Sequence, residues 1–165
     1  MPRWEPEQTV TLSFLDRLVD NDPKIASDPP PSRARSVRQL KASLRRDLEW
    51  LLNTRRRPDP AGDEYKELAK SLYNYGLMDV TSMSWSSHRD RVGLTKLIEQ
   101  TVAIFEPRIS RIKVVSLDAA AGAKHVMRFQ IEGLLDMDPA PELITFDTVL
   151  QLSSGEYQVG GEPSA

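Results

Sequence analysis

The spacing of hydrophobic residues changes once along the chain, from a helical period before residue 108 to a strand period after it. Before the change, Leu94, Ile98, Val102 and Phe105 recur at steps of three or four residues. After it, apolar and polar residues alternate over 127–131 and 144–150. A period near 3.6 is typical of an amphipathic helix, and a period of 2 is typical of a half-buried strand. The pattern predicts an α+β fold class, with N-terminal helices followed by a C-terminal antiparallel β-sheet.

The first 35 residues are predicted to form a short helix and a proline-rich linker. Apolar residues at helical spacing over 12–19 indicate a short amphipathic helix. The run Pro29-Pro30-Pro31 favours an extended connection after it. We therefore divide the chain into residues 1–35, an N-terminal helix and linker that we expect to be loosely tethered, and residues 36–165, a single α+β domain.

A long helix is predicted to start at Ser36. Ser36 and Gln39 have the spacing of a capping box, in which the two side chains bind free N–H groups of the first turn. The apolar stripe of the helix extends to Leu52, and Pro58 terminates it after three arginines. Trp50 lies among the leucines of this stripe and is expected to be a core or half-core aromatic residue.

The signals between this helix and the strands are weaker. A helix is predicted over 63–73, and residues 77–89 are predicted to be a loop because they are serine-rich and lack periodicity. The next helix is expected to end at Glu106, since Pro107 follows it. Ser153-Ser154-Gly155 predicts a C-terminal hairpin whose last strand is short, which favours an open sheet edge.

Composition limits the chemistry that this chain can carry. The 165 residues include no cysteine, and the two histidines lack the spacing of a zinc site, so we expect no metal and no cofactor. Neither a signal-peptide core nor an apolar run of about 18 residues is present, which favours a cytoplasmic protein without membrane insertion.

Charge is unevenly distributed despite a formal net charge of -2. Residues 33–57 hold nine Arg or Lys against Asp47 and Glu49, a local balance of +7. Such a basic strip can bind nucleic acid, an anionic membrane or an acidic protein surface. Because Trp50 is the only aromatic residue within the strip, base stacking is poorly supported, and an acidic protein partner is favoured over nucleic acid.

The sequence contains no complete catalytic motif that would identify an enzyme. His88-Arg89-Asp90 resembles a kinase catalytic loop but lacks the accompanying asparagine and glycine-rich loop. Phosphate-binding glycine motifs and the serine nucleophile motif are missing from the sequence. Carboxylate pairs remain available for glycan hydrolysis, and Glu106 is among the candidates.

Glu106, Pro107 and Arg108 form a charged corner between the last predicted helix and a strand predicted over 111–115 (RIKVV). The corner can hold an internal ion pair or present a docking site, and without any family resemblance the ion pair is the favoured interpretation. The rigid proline and the planar guanidinium fork suit recognition of another protein.

A family resemblance is carried by several segments in order along the chain. These are residues 13–18 (SFLDRL), 36–38 (SVR), 44–55 (LRRDLEWLLNTR), 71–77 (SLYNYGL) and 105–108 (FEPR). Together they resemble the TssE subunit of type VI secretion baseplates, a family similar to the "lysozyme-like" wedge protein of contractile-phage baseplates.

The resemblance implies a structural, non-enzymatic subunit. It places Glu106, Pro107 and Arg108 where the subunit meets other wedge proteins (TssF, TssG, TssK), and it implies a platform for the sheath proteins TssB and TssC, whose arms would add strands to the sheet. Arg45 and Arg46 of the basic strip are further candidates for partner binding. On this interpretation, Arg108→Ala leaves the melting temperature nearly unchanged and abolishes partner binding. A peptidoglycan hydrolase and a nucleic-acid-binding module are the alternatives.

Overall fold

The computed structural model describes residues 10–20, 23–24, 32–59, 64–80, 87–117 and 126–161. Its helices are α1 (Phe14–Leu18), α2 (Arg33–Asn53), α3 (Lys66–Ala69) and α4 (His88–Phe105), with a 3₁₀ helix at Leu72–Asn74. Its strands are β1 (Ile109–Leu117), β2 (Val126–Leu135), β3 (Glu142–Gln151) and β4 (Glu156–Val159). The predicted α+β class, with helices first and an antiparallel sheet last, is confirmed. Most of the predicted linker lies outside the described residues.

α2 begins three residues before the predicted start. Ser32 is its N-cap, and the Ser32 side chain accepts a hydrogen bond from the N–H of Arg35. Ser36 lies inside the helix, where its hydroxyl donates to the carbonyl of Arg33 and accepts from the N–H of Val10. The capping box predicted at Ser36 is therefore wrong, because that serine is buried and its hydroxyl joins the N-terminal segment to α2.

The helix predicted over 63–73 is wrong in extent. The structure has the single turn of α3 and the 3₁₀ helix instead, and residue 63 lies outside the described part of the chain. Leu72, on the predicted apolar side, is 82% exposed. A helix without a buried face gains little from packing, so the segment stays in short turns.

α4 is longer than the apolar pattern suggested. It begins at His88, where the side chain of Ser87 accepts from the N–H of Asp90, so the end of the predicted 77–89 loop is helical. Residues 81–86 of that loop lie outside the described residues. The helix ends as predicted, with Glu106 as its C-cap.

The strands form one antiparallel sheet in the order β1-β2-β3-β4. The register pairs Ile131 with Phe146, and both side chains are buried in a core cluster that also contains apolar residues of α2 and α4. The predicted C-terminal hairpin is confirmed, since β4 pairs with the end of β3. β4 covers only Thr148–Gln151, which leaves Glu142–Phe146 of β3 without a strand on that side among the described residues.

Candidate partner-binding cleft

The charged corner is built by the end of α4. The backbone N–H of Glu106 caps the helix by donating to the carbonyl of Val102 at 2.8 Å. Pro107 cannot donate a helical hydrogen bond, so the chain leaves the helix here and enters β1 at Ile109. This geometry folds Glu106 inward, and the residue is only 5% exposed.

Arg108 binds the buried carboxylate of Glu106 with two nitrogens. Arg108 Nε donates to Glu106 Oε1 at 2.6 Å, and Nη2 donates to Oε2 at 2.6 Å. Nη2 also donates to Asp47 Oδ2 of α2 at 2.7 Å. The pKa of Arg108 is raised because the hydrogen bonds to Glu106, and secondarily those to Asp47, outweigh the effect of burial. The guanidinium therefore ties the corner to α2.

Arg46 extends the ion pairs to the N-terminal segment. It donates to Asp47 Oδ1 at 2.8 Å and to Asp16 Oδ1 of α1 at 2.9 Å. Burial alone would raise the pKa of Asp16, but hydrogen bonds from Ser13 and Arg46 more than offset this and hold it below its usual value. The result is one polar network of alternating sign that joins α1, α2 and the corner after α4; its members are Asp16, Arg46, Asp47, Arg108 and Glu106.

A cleft of about 450 Å³ lies beside this network. Trp50, Phe14 and Leu15 line it and are exposed, with Trp50 at 59%. The Arg46 guanidinium lies 5.1 Å from the centre of the Trp50 ring, a cation–π contact that orients the indole. The expectation that Trp50 is a core or half-core residue is wrong, because its side chain is exposed on the side of α2 that faces this cleft.

The structure brings together four of the five predicted site residues. Glu106, Pro107, Arg108 and Arg46 all line the cleft. Arg45 does not: it is exposed and has no ion-pair partner among the described residues. Sequence reasoning missed Asp16 and Asp47 as the acids that connect the arginines. The available signal was that Asp47 directly follows Arg46 and that Asp16 lies within the SFLDRL segment.

The arrangement suits recognition better than catalysis. The carboxylates of Glu106 and Asp47 are both bound by guanidinium groups, so neither has the setting of a general acid. The described residues contain no acid and histidine cluster suited to a metal ion. None of the described helices combines the length and the apolarity needed to cross a bilayer. The structural class is therefore a small α+β protein with an exposed aromatic rim beside a fixed ionic network.

The comparison with known families agrees with that class. The family model described as baseplate wedge protein gp25 matches residues 38–140. The chain therefore belongs to the baseplate wedge protein gp25 family, the family of TssE, and this family is a structural baseplate component and not a known enzyme family. Neither a curated protein nor a solved structure gives a significant match.

Proposed function

We propose that this chain is the TssE-type subunit of a type VI secretion baseplate in the cytoplasm, and that its cleft docks the other wedge proteins. The observation that carries the proposal is the exposed rim of Trp50, Phe14 and Leu15 next to the ion-paired Arg46 and Arg108. TssF, TssG and TssK are the expected partners.

The composition of the cleft supports docking on energetic grounds. Tryptophan and arginine dominate the binding energy of protein interfaces when a partner removes them from water. Arg46 already orients the indole of Trp50, so little side-chain freedom is lost on binding. The buried Glu106 holds the guanidinium of Arg108 in place by hydrogen bonding. Pro107 and Arg108 are the corner residues that a partner can reach. The proposed partner-binding residues are Glu106, Pro107, Arg108 and Arg46, with Arg45 as a separate exposed cation.

A platform role for the sheath is supported by the uncovered part of β3. In an antiparallel sheet the backbone groups of successive residues face opposite neighbours. Asp147 faces the β4 side, since its carbonyl accepts from the N–H of Gly160 at 2.6 Å. By alternation, the backbone N–H and C=O groups of Thr145 and Leu143 point to the same side, beyond the end of β4. The side chain of Leu143 is 68% exposed. An extended arm from TssB or TssC can pair with this edge by strand addition.

Substitution of Trp50 tests the docking role. Trp50→Ala is expected to weaken copurification with TssF and TssG by about tenfold or more, because an interface tryptophan contributes roughly 2 kcal/mol or more. The melting temperature should change little, since the indole is mostly exposed. Tyr65→Ala is the matched control, because Tyr65 is an aromatic residue of similar exposure, 58%, that does not line the cleft. Equal binding by Trp50→Ala and wild type would contradict docking at the cleft.

A proline at Thr145 tests the sheath role separately. Thr145→Pro removes the outward N–H without touching the bonds to β2, so an edge position can accept it. We expect sheath polymerisation to fail while wedge assembly persists. Thr145→Ala keeps the N–H and should polymerise sheath normally. Normal sheath assembly by a folded Thr145→Pro variant would exclude strand addition at this edge.

A further inference from the structure

The side chain of Glu99 accepts a hydrogen bond from a backbone N–H on the outer edge of β1. The sheet order makes β1 an edge strand. Val114 lies opposite Ile131 of β2, yet its N–H donates to Glu99 Oε1 at 2.8 Å. This amide therefore faces away from the sheet, and Glu99 reaches it from α4.

The other edge strand is covered in the same way. Asn53 of α2 accepts from the N–H of Tyr157 at 2.9 Å and donates to the carbonyl of Tyr157 at 2.8 Å. Glu49 accepts from the N–H of Val159 at 3.3 Å. Both edge strands thus have outward backbone groups bound by helix side chains, which is how natural proteins protect edges against pairing with another chain.

The start of β1 carries a second feature that disrupts edge pairing. The register shifts between Ser110 and Lys113, which marks a bulge. Arg111 lies within it at a φ of 51°, a conformation that non-glycine residues seldom adopt. Arg111 and Lys113 are both exposed, and charged side chains and bulges on an edge strand oppose the addition of a further strand. Glu99 acts immediately beyond this bulge, on the regular part of the strand.

We propose that Glu99 is an edge guard that prevents β1 from pairing with β1 of a second copy of this chain. A second copy is the partner that an unguarded β1 would meet, since two identical antiparallel edges can pair around a two-fold axis. Leu117 is exposed and Val115 half-buried on this strand, so such a pair would gain apolar contacts. Glu99 opposes it by occupying the Val114 donor and by bringing two negative charges to one edge.

The guard complements the proposed function, because it leaves the uncovered part of β3 as the edge for added strands. Its test uses the isolated chain without any baseplate or sheath protein. A negative result for Glu99 therefore does not affect the docking and sheath proposals. A negative result for those proposals does not affect the proposal for Glu99.

Sedimentation velocity over a concentration series tests the guard. We expect Glu99→Ala to self-associate about tenfold or more tightly than wild type, since pairing no longer breaks one hydrogen bond in each copy. Gln100→Ala is the matched control, because Gln100 is the exposed neighbour of Glu99 on the same helix, and it should behave as wild type. Glu99→Gln keeps an acceptor for Val114 and should self-associate less than Glu99→Ala.

Amide hydrogen exchange locates the association on the chain. In Glu99→Ala, exchange at Val114 should slow as protein concentration rises, because the N–H then pairs across the new interface. A folded Glu99→Ala variant that sediments as wild type overturns the proposal, and so does a dimer in which exchange at Val114 is independent of concentration. If Glu99→Ala does not fold, Glu99→Asp carries the same test, because the shorter side chain withdraws from the amide.

Discussion

Arg108 binds the carboxylate of Glu106 with two nitrogens, and this contact decides what a substitution at either residue does. Glu106 is buried, so its charge depends on the guanidinium for compensation. The same nitrogen that binds Glu106 Oε2 also binds Asp47, which couples the corner to α2. The ion pair is thus an internal clasp as well as a candidate contact, and partner docking must be tested at residues outside it.

Arg108→Ala should lower the free energy of unfolding by about 2–4 kcal/mol, because it leaves the buried Glu106 carboxylate unpaired. This replaces the expectation from sequence that the melting temperature stays nearly unchanged. Thermal or urea denaturation measures the effect. Arg108→Lys keeps the charge but not the two-nitrogen fork, so it should be destabilised less. A wild-type melting temperature for Arg108→Ala would mean that Glu106 does not need its partner.

Gly76 and Gly93 should respond in opposite ways to alanine. Gly76 has a φ of 101°, and a Cβ there would lie 2.2 Å from the carbonyl oxygen of Thr54. Gly76→Ala is therefore expected to destabilise the protein by about 2 kcal/mol or more.

Gly93 lies inside α4, and a Cβ there would meet no neighbouring side chain within 4 Å, so Gly93→Ala should stabilise by about 0.5–1 kcal/mol. Chemical denaturation of both variants compares them directly. A stabilised Gly76→Ala variant would contradict the positive φ of Gly76 and its close approach to Thr54.

At the scale of elements, helix interiors follow from the sequence better than helix starts do. The leucine stripe of α2 predicts its buried face correctly, since Leu44, Leu48 and Leu52 are buried. Two serines, Ser32 and Ser36, precede that stripe, and only tertiary contacts decide which one caps. Ser36 lies inside the helix, and its hydroxyl accepts a hydrogen bond from the N–H of Val10, 26 residues away. No local sequence pattern contains that contact.

The α1 segment is attached to α2 through a carboxylate, so its docking should depend on pH. The pKa of Asp16 is held below its usual value in the folded protein, because the effect of burial is outweighed by hydrogen bonds from Ser13 and Arg46. A depressed pKa stabilises the docked state above the unfolded pKa, and the contribution is lost as pH falls through the folded value. We expect the Val10 and Asp16 amide resonances to shift below about pH 4 in an NMR titration. Asp16→Asn should show the loosened state at neutral pH, and identical spectra for this variant and wild type would exclude the anchor.

At the scale of the whole molecule, the order of elements and the sheet were predictable because each signal is local. Period, turn residues and the proline after Glu106 lie within a few residues of what they determine. The cleft was not predictable in the same way, because Asp16, Asp47 and Arg108 are far apart in sequence and meet only after α1, α2 and the corner pack. The local sequence identified the corner, and the packed structure identified the carboxylates that Arg108 binds.

The basic strip at 33–57 loses much of its free charge to this packing, which leads to a last prediction. Its cations bind acids, a carbonyl and a ring of this chain: Arg46 with Asp16 and Asp47, Lys41 with Glu142, Arg55 with Asp79, Arg33 with the carbonyl of Asp138, and Arg57 over Tyr73. Nucleic-acid affinity depends on cations free to replace the counterions of phosphate groups. Fluorescence anisotropy with labelled duplex DNA near physiological salt should therefore give a Kd weaker than about 100 µM. Low-micromolar binding with a steep salt dependence, lost in Arg45→Glu, would show instead that the strip reads phosphate and that the acidic-partner interpretation is wrong.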